Sequence, residues 1–81
     1  MTREQLTEII FRILKEIAPE CDPSELLPEE NIREILDIDS YGFLQMLISI
    51  SEETGVEIPE ADYSRVFTLG GLLDYLMLRV Y

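Results

Sequence analysis

The stretch Leu36-Asp37-Ile38-Asp39-Ser40-Tyr41-Gly42-Phe43-Leu44 sets the reading of the chain. It passes from an irregular segment into an apolar helical pattern, and a serine stands at the junction. Asp39 is a good N-cap, because its carboxylate can accept from the unpaired backbone N–H groups of the first turn. A helix beginning at Asp39 or Ser40 runs to about Thr54. Gly55 then suits the left-handed position that often ends a helix. Within it, Phe43, Leu44, Met46, Leu47, Ile48 and Ile50 cover more than half the circumference, so the helix is expected to touch neighbours on two sides. Gln45, Ser49, Glu52 and Glu53 fill the remaining arc.

Upstream, Thr2 and Gln5 have the spacing of a capping box. Leu6, Ile9, Ile10, Ile13, Leu14 and Ile17 follow on one helical face until Pro19 stops the pattern. From Pro19 to Leu36 lies a long connection with Pro23 and Pro28, in which Asp22 or Ser24 can start a turn. Leu26, Leu27, Ile32, Ile35 and Leu36 are expected to pin it to the core, with one helical turn near Glu29 to Ile35. Downstream, Pro59 suits the first turn of a brief helix through about Val66. Thr68 caps a last helix whose Leu69, Leu72, Leu73, Leu76, Met77 and Val80 repeat the spacing of the first. The pattern predicts an all-α fold: a small four-helix bundle of three long helices and one short one, with a long first loop.

Composition narrows the function. The chain has 81 residues, which points to a single domain over residues 1–81. Seventeen acidic residues against six basic ones give a net charge of −11. Nucleic acid is therefore a poor partner, since phosphates are bound by Lys and Arg. Enzymes with basic surfaces are better ones. No apolar run approaches the roughly 20 residues of a membrane span, and the N-terminus lacks the features of a signal peptide. Cys21 is the one cysteine and histidine is absent. These features point to a cytoplasmic protein without catalytic residues, and Cys21 reads as a loop thiol or small core filler. Asp37, Asp39 and Gly42 mimic the opening of a calcium loop, but Tyr41 and Ile48 stand where ligands are needed, so no metal site is assigned.

Ser40 gains meaning from its place. A first-turn serine is exposed and sits in the positive field of the helix start, where a phosphate is favoured. With no base to activate it, it is a poor nucleophile but a suitable attachment point. Taken alone, Asp-Ser before a helix is common.

Asp39-Ser40, the apolar Leu44, Leu47 and Ile50, the run Glu52-Glu53-Thr54-Gly55-Val56-Glu57-Ile58-Pro59, and Thr68-Leu69 with Asp74-Tyr75-Leu76 together resemble the acyl carrier protein family over essentially the whole chain. The resemblance implies a 4'-phosphopantetheine arm on Ser40, installed by a phosphopantetheinyl transferase (holo-carrier synthase). Asp39 would cap the helix and position the transferase and its metal. The arm would hold acyl groups as thioesters for acyl-loading and acyl-processing enzymes of fatty-acid or related metabolism. Tyr41, Gln45 and Glu52 become candidate partner contacts. Leu47, Ile48, Ile50 and Val66 become candidates to line an acyl-sheltering cleft, in a protein expected to be a monomer.

The sequence also departs from the family. Tyr41 replaces the usual Leu after the serine, and Gly42 the usual acidic or small residue. Gln45, Ser49 and Ser51 stand among positions commonly acidic, and Thr54 where a core Phe is common. These departures point to a specialised carrier. Either Tyr41 packs against the loop or it meets a partner, and Gly42 can permit a close helix contact. An aminoacyl or peptidyl carrier shares the modified serine and is an alternative. So is a helical interaction module without a prosthetic group, for which Ser40 would be dispensable.

Overall fold

A computed structural model describes residues 1–80. Its helices are α1 (Arg3–Ile17), α2 (Ile32–Leu36), α3 (Ser40–Thr54) and α4 (Leu69–Met77), with 3-10 turns at Pro23–Glu25 and Glu60–Val66. The capping box at the start of α1 is complete. Thr2 Oγ1 accepts from the Gln5 N–H at 3.1 Å, and Gln5 Oε1 accepts from the Thr2 N–H at 2.9 Å. α3 ends at Gly55, whose φ of 75° is left-handed and whose N–H donates to the Ser51 carbonyl.

α1 packs mainly on α3, and secondarily on α4, while α4 packs on Glu60–Val66. Leu6, Ile10, Ile13 and Leu14 from α1 meet Met46, Leu47 and Ile50 from α3, and Leu69, Leu72, Leu73 and Leu76 from α4, in one buried apolar cluster. The four-helix bundle read from the sequence is the observed architecture. The brief third helix is of the tighter 3-10 type, and the expected turn of the first loop is α2, with a further turn at Pro23–Glu25 capped by Asp22.

Two expectations need correction. Of the five apolar residues expected to pin the first loop, Leu26, Ile32 and Leu36 are buried but Leu27 and Ile35 are exposed. A five-residue helix has one inward face, and Ile32 and Leu36, four apart, take it. α3 is covered on less of its circumference than its composition suggested: Phe43, Met46, Leu47 and Ile50 face inward, whereas Leu44 and Ile48 are exposed. The bundle is too small to place a neighbour over that arc.

Backbone bonds tie the loop down. The Ile32 N–H donates to the Phe67 carbonyl and the Gly70 N–H to the Pro28 carbonyl, both at 2.8 Å. These bonds fix the connection against the start of α4. A Cβ on Gly71 would lie 2.5 Å from the Arg65 carbonyl oxygen, so the start of α4 can approach the 3-10 segment only because that residue is glycine.

The far end of the 3-10 segment is held by a polar contact. The buried Tyr75 donates its hydroxyl to Asp62 Oδ2 at 2.6 Å, and the Arg79 guanidinium lies 3.6 Å from its ring centroid. The Asp62 hydrogen bond, then burial, raises the phenol above its ordinary range. The folded state thus holds this proton more tightly than the unfolded chain. The stabilisation is complete below the unfolded tyrosine value of about 10 and is lost as pH rises through the raised folded one. Tyr75→Phe is expected to cost about 1–2 kcal/mol at neutral pH and to remove this part of the alkaline loss of stability, as read from urea unfolding at neutral and alkaline pH.

Candidate functional site

The start of α3 is built between two buried side chains. Ile38 lies just before it and Phe43 within its first turns, and both are in the core. The three residues nearest the junction, Asp39, Ser40 and Tyr41, are exposed. The Ile38 backbone is held from both sides: its N–H donates to the Arg33 carbonyl at 3.0 Å, and its carbonyl accepts from Arg33 Nε at 3.3 Å. The Arg33 guanidinium also stands 6.0 Å from the Phe43 ring centroid. Phe43 packs edge-on against Tyr63 and tilted against Phe67, so the 3-10 segment and the residue after it brace the start of α3.

The turn into the helix is sharp. Asp37 ends α2 in the left-handed region, with φ of 51° and ψ of 48°, where aspartate is better tolerated than most side chains. Asp39 is extended, and its Oδ1 accepts from the Gly42 N–H at 2.7 Å. It is the N-cap expected from the sequence. A Cβ on Gly42 would lie 2.7 Å from Ile38 Cγ2 and 3.4 Å from Ile17 Cγ2. Gly42 therefore permits the close contact foreseen for it, with the loop before α3 and the end of α1. Tyr41 is not packed against the loop: it is 70% exposed.

Ser40 is the first residue of α3. It is exposed, and no hydrogen bond engages its hydroxyl among the described residues. It stands at the positive end of a 15-residue helix. A phosphodiester on its Oγ displaces no existing bond and gains the field of the helix start. These residues fit a phosphopantetheine arm on that criterion.

Two surface depressions flank the helix. One is bordered by Tyr41, Gln45 and Ser49 on α3, by Glu16, Ile17 and Glu20, and by Asp37 and Asp39. The other is lined by Leu44, Leu47, Ile48 and Ser51 on α3 and by Glu57, Ile58, Pro59 and Tyr63. Tyr41 and Gln45 thus share a border, while Glu52 is exposed beyond both depressions. Of the residues expected to line an apolar cleft, Leu47 and Ile48 do so. Ile50 and Val66 are fully buried in the core instead, because each points between helices rather than towards the surface. Leu44, Ile58, Pro59 and Tyr63 take part in their place. The outward position of Leu44 could have been found by pairing it with Ile48, one helical turn on. The brace formed by Arg33, Tyr63 and Phe67 had no local signal.

The phosphopantetheine attachment site family matches residues 4–76 of the chain. The chain belongs to that family. It is 30% identical to an acyl carrier protein of Rubrobacter xylanophilus over 77 residues, covering 95% of this chain and 94% of that protein. It is 29% identical to one of Thermosynechococcus vestitus, covering 91% of this chain and 94% of that protein. It is also 30% identical to the meromycolate extension acyl carrier protein of Mycobacterium leprae, covering 94% of this chain but 65% of that protein. The chain thus spans about two thirds of the length of its mycobacterial relative. As an acyl carrier protein relative, it has 4'-phosphopantetheine as its family's cofactor. No helix among the described residues is long and apolar enough to cross a membrane.

Asp39→Ala removes the cap and is expected to cost about 1 kcal/mol by urea unfolding, with Asp39→Asn retaining most of it. Gly42→Ala gains helix propensity but drives a methyl into the stiff Ile38. A net loss of about 1–2 kcal/mol is expected in the same measurement.

Proposed function

We propose that this chain carries acyl groups on a 4'-phosphopantetheine arm attached at Ser40 Oγ, and that it is a carrier rather than a catalyst. The observation that carries the reading is an exposed, unengaged serine at the first residue of α3, within the span matched by the phosphopantetheine family. The chain has no histidine to activate that hydroxyl, so attack has to be promoted by another enzyme. That enzyme is a phosphopantetheinyl transferase. When bound, the arm supplies a terminal thiol that holds an acyl group as a thioester.

The chain's own residues present and hold the site. Asp39 keeps the first turn of α3 formed, and Ile38 and Phe43 prevent Ser40 from turning inward. Tyr41, Gln45 and Glu52 stand on the accessible side of α3, as candidate contacts for the acyl-loading and acyl-processing enzymes. The apolar depression beside Leu47 and Ile48 offers an acyl chain partial cover from water. Likeness to acyl carrier proteins supports a role in fatty-acid or related acyl metabolism, in the cytoplasm.

Intact mass tests the reading, after incubation with coenzyme A, magnesium and a broadly acting phosphopantetheinyl transferase. One phosphopantetheine is expected on the wild type and none on Ser40→Ala, whose helical circular dichroism is expected to be unchanged. Addition to Ser40→Ala would sink the assignment of the residue. A folded wild type that gains nothing, with this transferase and with the host's own, would sink the carrier reading.

A further inference from the structure

Ser40 opens onto one of the two depressions beside α3. Its neighbours Asp39 and Tyr41 both border the depression that reaches back to the end of α1, and Gly42 lines it too. The first residue of α3 to border the other depression is Leu44, a turn further on. The first depression has a volume of about 550 Å³, within the range of small-molecule sites. Ile17, Ala18, Ile38 and Gly42 supply its apolar lining, and Ala18 and Ile38 belong to the core. Tyr41, Gln45 and Ser49 border it from α3, each four residues from the next and so on one side of the helix. Their side chains make no hydrogen bond among the described residues.

The lining decides what can occupy it. Glu16, Glu20, Asp37 and Asp39 border the depression and no Lys or Arg does, so an anion is repelled. Among the described residues, no group of three or more carboxylates is placed to hold a metal ion. The fitting ligand is uncharged, with N–H donors for the carboxylates, donors and acceptors for Gln45 and Ser49, and apolar surface for Ile17 and Ala18. Beyond its phosphate, 4'-phosphopantetheine has that composition: two amides, a hydroxyl and a carbon bearing two methyl groups. Its backbone is as long as roughly five extended residues, about 17 Å, whereas Ser40 to Ser49 rises about 14 Å along the helix. Attachment at Ser40 also holds it at an effective concentration on the order of mM, so weak contacts suffice.

Resting on the reading of Ser40 as the attachment site, we infer that this depression is a resting groove for the chain's own arm when the arm carries no acyl group. Gln45, Ser49 and the carboxylates of Glu16 and Glu20 hydrogen-bond its amides, and Ile17 and Ala18 cover its methyl groups. A long acyl chain adds apolar surface that a rim of four carboxylates does not accommodate. It favours the depression beside Leu47 and Ile48, which has Glu57 as its one carboxylate. The two depressions thus separate the unloaded arm from the loaded one.

Nuclear magnetic resonance of the full chain provides the test, after loading from coenzyme A isotope-labelled in its pantetheine portion, with intact mass confirming one arm per chain. In the wild type without an acyl group, order parameters above about 0.6 are expected at both arm amides, where a freely moving arm gives lower values. Nuclear Overhauser contacts are expected from the arm methyls to Ile17 and Ala18. In the loaded double variant Gln45→Ala/Ser49→Ala, the arm order parameters are expected to fall below about 0.6 and the contacts to be lost, with Ser49→Ala alone giving a smaller fall. Thermal melts check that each variant is folded. Mobile arm amides in the loaded wild type overturn the groove and leave the carrier reading standing. So do contacts to Leu47 and Ile48 in place of Ile17 and Ala18, or an arm that stays ordered in the double variant. Absence of any mass gain by the folded wild type, with a broadly acting transferase and with the host's own, removes the carrier reading and the inference with it.

Discussion

Ile38 and Phe43 are buried on either side of three exposed residues, and the geometry of the site follows from that. A chain of this size has a small core, so each anchored side chain fixes a large share of the nearby backbone. With Ile38 held through its own N–H and carbonyl by Arg33, and Phe43 wedged against Tyr63 and Phe67, the backbone between them has little freedom. Asp39 then needs to supply only one hydrogen bond to define the first turn. Ser40 is displayed because Ile38 and Phe43 are not.

The same economy explains the glycines that matter. Gly42 lets the end of α1 and Ile38 close upon α3, and Gly71 lets α4 close upon the 3-10 segment. Each contact replaces a side chain with a neighbour's packing. The three ion pairs among the described residues, Arg3 with Asp74, Arg12 with Glu53, and Arg65 with Asp62, lie largely at the surface and add little by comparison.

Much of this was legible in the sequence. Thr2 with Gln5, Asp39, Gly55 and Thr68 mark helix ends through local chemistry, and local chemistry needs no knowledge of the fold. The position of Ser40 could be read for the same reason. The faces of the short elements could not. Leu27 and Ile35 have the composition of core residues, but a five-residue helix offers one inward line and Ile32 and Leu36 occupy it. Ile50 and Val66 looked like cleft residues because their apolarity was known and their direction was not. Leu44 erred the other way: read only as part of the helix's apolar packing face, it is exposed and joins Ile48 at the depression. Which apolar residue is inside is a property of the neighbours, and neighbours such as Phe67 and Arg33 are set by the tertiary fold.

The loop before α3 is closed by bonds from both halves of the chain, Ile32 to Phe67 and Gly70 to Pro28. Contacts between residues so distant in sequence come at an entropic cost that local helices do not bear. During synthesis, α1 and α3 can form as soon as their residues emerge, but the strap over them has no acceptor until Phe67 has been made. Phe43 likewise waits for Tyr63 and Phe67. The platform beneath Ser40 is thus completed by the last quarter of the chain, and a ribosome-bound fragment ending before that point would carry the serine without the surroundings that present it.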